Sequence, residues 1–183
     1  YFSSIPQEYI NNLLKNKNYN LIIQHKNYNP RIIQTITNKD IWKTIAPNTF
    51  FRSILKYFDY PESIWKHVFE NQISNLSQCI LGILMTVGTP IYLSDLKLSI
   101  SNFAKKHSAK YGIKYSELEL KKSLRELENT FIITKANTRD EIIVEYQNPS
   151  VQDFLVHYFR EIPDFIINII EGAVFFNQLF YIF

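Results

Sequence analysis

The sequence predicts a mainly α-helical fold with a small β-hairpin. Apolar residues recur at three- and four-residue intervals through most of the 183 residues, which is the period of a helix. Two runs rich in β-branched and aromatic residues, 130–134 and 141–146, flank a short polar stretch, a pattern typical of a hairpin. With 46% hydrophobic and 20% charged residues, the composition is that of a folded chain and excludes a disordered one.

The first 72 residues predict short helices separated by Asn-rich turns. Pro6 suits the first turn of a helix, and the apolar residues of 9–14 follow on one face. Asn27-Tyr28-Asn29-Pro30 is an N-cap signal that places Arg31 in the first turn of a new helix. Further helices are predicted at 19–24, 49–58 and 62–72.

The middle of the chain changes character. A strongly apolar helix at 76–87 ends at the break Gly88-Thr89-Pro90, and a second helix starts near Ser94. Ser116, with Glu119 three residues on, forms a capping box that starts a third helix before the hairpin. Three helices followed by a hairpin is the order of a winged-helix domain.

Asn148-Pro149-Ser150 caps a further helix at 151–159, and Pro163 separates it from a last apolar stretch. Polar and charged residues interrupt that stretch, 162–183, and a charge at the bilayer centre costs roughly 2.5 to 3.5 kcal/mol. We therefore expect a packing helix and no membrane partner. The predicted domains are 1–72, a helical segment, 73–160, a winged helix, and 161–183, the start of a further helical segment.

Composition limits the kinds of chemical site that the chain can contain. The single cysteine, Cys79, excludes a disulfide scaffold and a cysteine-based zinc site, and it favours a reducing cytoplasm. The four histidines share no motif, no metal-ligand spacing occurs, and Tyr1–Gln7 lacks the pattern of a signal peptide. We expect no catalytic residue and no metal ion in this chain.

The four glycines never approach the GxxxxGK[ST] spacing of a phosphate-binding P-loop. The chain is therefore not expected to turn over nucleotide by itself. It opens without an initiator Met and ends inside an apolar run, so we expect it to be a piece of a longer protein.

Two segments resemble a known family. The first is Asn27-Tyr28-Asn29-Pro30-Arg31-Ile32-Ile33, preceded by Pro6-Gln7-Glu8-Tyr9 and a leucine pair; it resembles the helical lid of STAND NTPases, signal-transduction ATPases related to the AAA+ ATPases. The second, residues 145–155 (EYQNPSVQDFL), resembles the end of their winged-helix domain, where a strand leads into an HPSxxDFL-like helix. The nearest likeness is to the bacterial novel STAND type 3 branch, found in large defence proteins.

The resemblance implies a role for each matched residue. The turn formed by Asn29, Pro30 and Arg31 would lie over the nucleotide, with Pro30 near the adenine and Arg31 approaching the phosphates. A guanidinium suits that position because its planar fork binds phosphate oxygens bidentately. Asn148 stands where many members have a histidine that contacts the β-phosphate; Asn can donate a hydrogen bond but carries no charge. From the residues alone, Asn29-Pro30-Arg31 is equally a plain helix start with a surface arginine, and Asn148 an Asn-Pro helix cap.

The implied cofactor is ATP or ADP, with Mg²⁺ supplied by a P-loop NTPase core of the same parent chain, and the parent is expected to form a homo-oligomer. The expected function is a regulatory lid and winged helix that control nucleotide-dependent switching in bacterial antiphage defence. The residues do not separate ATP from GTP.

Two alternatives stay open. A DNA-binding winged helix would use 116–128 as its recognition helix, but four glutamates there would be repelled by phosphates, so nucleic acid is not the expected partner. These are Glu117, Glu119, Glu126 and Glu128, set against Lys121, Lys122 and Arg125. A plain protein-interaction domain would exploit the 15% aromatic content, with 162–183 as a docking helix.

Overall fold

Helices make up most of the chain, and three short strands form one antiparallel sheet, which confirms the predicted mainly α class with a small β-hairpin. The computed structural model describes residues 2–28, 30–60 and 62–182. The chain divides into two units, Tyr1–Trp65 and Lys66–Phe183. The domain bounds expected from the sequence, 1–72, 73–160 and 161–183, place the first division seven residues later and add a second division near residue 160.

The first unit consists of short helices, as the Asn-rich turns predict. Asn16 and Lys17 have positive φ values of 54° and 57°, and this left-handed turn separates the first two helices. The helices are α1 (Gln7–Leu14), α2 (Asn18–Ile23), α3 (Pro30–Ile36), α4 (Lys39–Trp42) and α5 (Phe50–Asp59), and α6 (Glu62–Asn71) spans the boundary between the units. Short 3-10 helices lie at Phe2–Ser4, Lys15–Lys17 and Pro47–Thr49.

Tyr9 of α1 anchors the core of the first unit. Its ring meets Trp42 and Phe50 edge-on at centroid distances of 5.2 and 5.1 Å, and its hydroxyl donates to the Ile45 carbonyl at 2.9 Å. Phe50, Ile54 and Phe58 of α5 are fully buried. Each such side chain contributes about 1.5 to 3 kcal/mol by leaving water.

The second unit begins in α6 and places its sheet strands between long helices. The elements are α7 (Asn75–Val87), β1 (Ile91–Tyr92), α8 (Leu93–Tyr111), α9 (Glu117–Leu127), β2 (Ile132–Ala136), β3 (Ile142–Tyr146), α10 (Pro149–Arg160) and α11 (Pro163–Glu171). A 3-10 helix follows at Phe176–Ile182.

Helix α7 is the centre of this unit. From Leu76 to Val87 every residue except Gln78 is buried, and the helix packs against α8, α9, α10, α11 and the last 3-10 helix. A helix that is apolar all round must be enclosed on every side. The apolar run read from the sequence is therefore the element on which the other helices assemble.

The sheet has the order β1-β3-β2, and both pairings are antiparallel. Strand β1 pairs Ile91 with Val144 and Tyr92 with Ile143. Strand β1 was not predicted from the sequence, because two residues carry no periodicity and only pairing with the distant β3 makes them a strand. The predicted order of three helices followed by a hairpin is otherwise present, and the winged helix stays an interpretation of that order.

The hairpin lies where it was predicted, but β2 starts two residues later. Asn129 has a φ of 60° and donates its N–H to the Ile132 carbonyl at 2.8 Å, so residues before Ile132 form a turn. The capping box is half formed: Ser116 Oγ accepts the Glu119 N–H at 3.2 Å, whereas the Glu119 carboxylate pairs with Lys122 at 2.7 Å.

The predicted last apolar helix is divided. Helix α11 ends at Glu171 and the next helical residues begin at Phe176.

A Cβ on Gly82 of α7 would lie only 3.1 Å from Ile169 Cδ1, so the missing side chain at Gly82 lets α11 pack closely on α7. No helix in the described part of the chain is both long enough and apolar enough to cross a membrane.

Glu126 of α9 joins α9 to the start of α7. Its Oε2 accepts from the Ser74 N–H at 3.0 Å, from Ser74 Oγ at 2.8 Å and from Ser77 Oγ. Ser74 is the N-cap of α7, where a negative charge also meets the positive end of the helix dipole.

We expect Glu126→Ala to lower the free energy of unfolding by about 1 to 3 kcal/mol, because hydrogen bonds to a charged group are lost at a helix start. Urea denaturation followed by circular dichroism measures this. Glu119→Ala is the matched control on the same helix: it removes an exposed i,i+3 pair and is expected to cost less than about 0.5 kcal/mol. Equal losses in the two variants would contradict the role of Glu126.

Candidate functional site

The predicted nucleotide-binding turn falls at the start of α3. Asn29 lies outside the described residues. Pro30 is the exposed first residue of α3, and Arg31 is the second, although its side chain is outside the described part of the structure. Ile32 and Ile33 behind it are buried, so the helix is fixed to the unit by its apolar side. Pro30 and Arg31 are thus adjacent at the surface end of a seven-residue helix.

Asn148 is the N-cap of α10 in the second unit. Its Oδ1 accepts the Ser150 N–H at 2.9 Å and its carbonyl accepts the Val151 N–H at 3.0 Å, while Pro149 has no N–H. The N–H groups of the first turn of α10 are therefore already bound to Asn148. None of them is left for a phosphate in this arrangement. The geometry is that of the Asn-Pro helix cap, and the predicted nucleotide contact of Asn148 stays a prediction.

The residue before the cap ties α10 to the hairpin. Gln147 donates its N–H to the Phe131 carbonyl at 2.9 Å, and its side-chain Oε1 is buried without a hydrogen-bond partner among the described residues. The strand end, the cap and the first turn of α10 are therefore one continuous junction. Arg31 belongs to the other unit.

The sequence did not indicate an open apolar surface that the second unit carries. This α9 groove, of about 780 Å³, lies between the start of α8, the outer face of α9 and the hairpin. Leu118 is 63% exposed and Ile142 43% exposed. Its lining residues are Leu93, Lys97, Glu117, Leu118, Leu120, Lys121, Leu124, Arg125, Glu128, Thr134 and Ile142. One feature of the sequence could have indicated this groove. Leu118 is an apolar residue three and seven positions before Lys121 and Arg125, on the same helix face.

The charges around the α9 groove are unequal. Glu117 pairs with Lys97 at 3.1 Å. Glu128 Oε1 accepts the Thr134 N–H at 3.0 Å, which holds α9 to the outer edge of β2. Within the part of the chain that the structure describes, Lys121 and Arg125 make no ion pair. With Lys97 and Glu117 paired, Lys121 and Arg125 outnumber the one other carboxylate of the lining, Glu128, so the groove offers an apolar floor with an excess of positive charge.

The acidic residues of α9 keep the charge that the sequence indicates. Glu126 and Glu128 accept hydrogen bonds from neutral donors of the domain itself, which fix the carboxylates in place without cancelling their charge. On the same helix, Leu118 lies three and seven positions before Lys121 and Arg125. An exposed leucine beside mixed charges suits a protein surface better than a phosphate backbone.

A second cavity, of about 590 Å³, has a mixed lining that includes the phenols Tyr111 and Tyr158 together with the polar side chains of Asn75, Gln78 and Lys110. Burial raises the pKa of Tyr158 to about 12, with the hydrogen bond to Glu70 as a further cause. Burial also raises the pKa of Tyr111, against the opposing effect of the hydrogen bond from Asn168. Both phenols are therefore neutral at physiological pH.

The single cysteine of the sequence is poorly suited to act as a nucleophile. Burial raises the pKa of the Cys79 thiol to about 12, so the thiolate is scarce at neutral pH. His107 Nε2 lies 3.5 Å from Glu171 Oε2, within ion-pair range but without hydrogen-bond geometry. No group of three His, Cys, Asp or Glu residues among those described is placed to hold a metal ion.

No protein-family profile, curated protein or solved structure matches this chain.

We expect the folded protein to resist Ellman's reagent at pH 8. With a pKa of about 12, roughly one thiol in 10⁴ is ionised at that pH, and the side chain is also buried. Absorbance should rise only when urea is added. Leu98→Cys is the control, because position 98 is 52% exposed and its thiol should react at once. Rapid labelling of native wild-type protein would contradict a core role for Cys79.

We expect Asn148→Ala to reduce the free energy of unfolding by about 1 kcal/mol, since the side-chain cap of α10 is lost. Asn148→Asp keeps an oxygen in the same place and should stay within a few tenths of a kcal/mol of wild type. Thermal and urea unfolding measure both variants. If Asp costs as much as Ala, Asn148 does not act through its Oδ1 as a helix cap.

Proposed function

We propose that this chain is the regulatory lid and winged-helix region of a STAND-type P-loop NTPase. In the parent protein it switches with nucleotide state and controls oligomerisation in bacterial antiphage signalling. The P-loop core of the same parent binds ATP or ADP with Mg²⁺, and the region works in the cytoplasm. It contributes contacts and a movable surface to that core, and no bond-breaking step.

The observation that carries the proposal is the topology of the second unit. A buried central helix is followed by an edge strand, two helices and a hairpin, with β1 paired to β3, and the hairpin leads directly into a capped amphipathic helix. This order supports a winged helix, and the capped α10 corresponds to the segment that resembles the end of the family's winged-helix domain. The unit of short helices before it supports the lid.

The surface chemistry supports contact with protein over contact with DNA. A recognition helix needs several unpaired cations facing the phosphates. On the described residues of α9, Lys122 is paired with Glu119 at 2.7 Å, and Lys135 of the hairpin is paired with Glu145 at 2.7 Å. An exposed Leu118 lies beside the remaining cations of α9, Lys121 and Arg125, so the face favours a protein partner.

The proposed switch between two states depends on which part of the chain contacts the nucleotide. A ligand shifts a conformational equilibrium only by its different affinity for the two states. The lid supplies that difference if Arg31 contacts phosphate in one state and not in the other. The α10 cap supplies none in the present geometry, because its donors are already used.

In the intact parent protein, Arg31→Ala is expected to weaken ATP affinity about tenfold to a hundredfold, the loss of one charge-assisted contact to phosphate. Isothermal titration calorimetry measures this, and ATP-dependent oligomerisation should fall in parallel. Arg52→Ala is the matched control, because Arg52 is an exposed arginine on α5 of the same unit. Unchanged ATP affinity in a folded Arg31→Ala protein would remove Arg31 from the site.

The proposal as a whole is tested by the reading frame that precedes Tyr1. A GxxxxGK[ST] loop and an acidic strand end encoded upstream would place a nucleotide-binding core on the same chain. A start codon close to Tyr1 would contradict the proposal and leave a docking winged helix as the better description.

A further inference from the structure

Two surfaces of the second unit complement each other in charge and in apolar character. One is the α9 groove. The other, which we call the α10–α11 corner, consists of Glu161, Ile162, Asp164 and Ile167. We propose that the α9 groove of one copy binds the α10–α11 corner of a second copy, so that copies of this chain associate head to tail.

The groove provides the basic half of the contact. Its floor includes Leu118, 63% exposed, Ile142, 43% exposed, and Leu124. Lys121 and Arg125 lie one helical turn apart on α9, and neither has an ionic partner among the described residues. Exposed leucine and isoleucine flanked by unpaired cations call for an occupant that is apolar and acidic.

The corner provides the acidic half. Glu161 follows the last residue of α10 and Asp164 is in the first turn of α11, and no ion pair of either is found in the described structure. Ile162 is 38% exposed and Ile167 52% exposed. By contrast, the Glu171 carboxylate at the other end of α11 already faces His107. The unpaired acids are therefore confined to the end of α11 that carries the exposed isoleucines.

The two surfaces cannot satisfy each other within one copy. Helix α9 packs on α7, and α11 packs on α7, α8 and α10, whereas α9 and α11 share no substantial contact. A contact between two different surfaces is heterologous, so each added copy leaves one groove and one corner free. Such a contact builds rings or open chains. The charged groups of the contact are exposed, and exposed ion pairs contribute little, so we expect weak, concentration-dependent association.

This inference does not rest on the proposed function. It needs neither nucleotide nor an NTPase core, and it is tested on the chain as it stands. Suppose that association changes when the charges of the groove and the corner are reversed, and that the protein does not respond to ATP. The inference would then be supported, and the proposed function alone would be contradicted.

The experiment is sedimentation velocity over a wide range of protein concentration. We expect the wild-type chain to form larger species as concentration rises, and high salt to weaken them because the contact is partly ionic. The paired variants are Lys121→Glu/Arg125→Glu, which reverses the groove, and Glu161→Lys/Asp164→Lys, which reverses the corner. Each variant alone should stay monomeric.

Mixing the two variants is the decisive step. The reversed groove of one then meets the reversed corner of the other, and the remaining native surfaces also match, so association should return to near wild-type strength. Recovery on mixing also shows that both variants are folded. Lys105→Glu/Lys114→Glu is the matched control for the groove variant, because it changes net charge by the same amount at exposed positions that belong to neither surface, and it should leave association unchanged.

Three results would overturn the inference. The first is a wild-type chain that stays monomeric at every concentration. The second is association that either paired variant leaves unaltered. The third is a mixture that stays monomeric although circular dichroism shows both variants folded. Fluorescence anisotropy with a labelled DNA duplex and with a labelled acidic amphipathic peptide completes the test: groove-dependent binding of either probe, without self-association, would assign the groove to that occupant instead.

Discussion

Enclosure of α7 is the constraint on which the rest of the second unit depends. A helix with almost no exposed residue between Leu76 and Val87 has no solvent face of its own, so other elements must cover every side. Helices α8, α9, α10 and α11 do this. Gly82 permits the close approach of α11, and the Glu126 carboxylate satisfies donors at the start of α7. The groove and the corner lie on the outer sides of helices whose inner sides are committed to α7.

Periodicity predicted the elements that are stabilised by local burial patterns, and it failed where tertiary partners decide. Apart from α4, the helices of both units and the hairpin follow from apolar spacing, Pro and Gly positions and Asn turns. Strand β1 does not, because Ile91 and Tyr92 become a strand only by pairing with Ile143 and Val144, more than fifty residues later. Strand β2 starts later than predicted because of the left-handed turn at Asn129. The residues between Asn129 and Ile132 belong to that turn, although their types favour a strand.

The candidate sites also differ in whether a local sequence signal or a tertiary contact decides them. The Asn148 cap follows from an Asn-Pro pair at a helix start, which is a local signal, and the structure shows that cap directly. The helix start at Pro30 follows in the same way. A contact with a nucleotide cannot be read from either position, since it depends on groups outside this chain. The α9 groove was missed because its walls come from α8, α9 and the hairpin, and only folding brings Leu118 and Ile142 to one surface.

Charge placement separates structural from functional groups in the second unit. Sequence counting treats Glu117, Glu119, Glu126 and Glu128 as equivalent charges on one helix. In the fold each has a different partner: Lys97, Lys122, the start of α7 and the edge of β2. Groups engaged in this way stabilise the domain and are not free to bind a ligand. Lys121 and Arg125 on α9, and Glu161 and Asp164 at the α10–α11 corner, make no ion pair among the residues that the structure describes. Each set lies beside an exposed apolar side chain, which costs free energy in water unless something covers it. A partner that covers the apolar side chain and pairs the charge removes both costs at once, which is why these two surfaces are expected to bind.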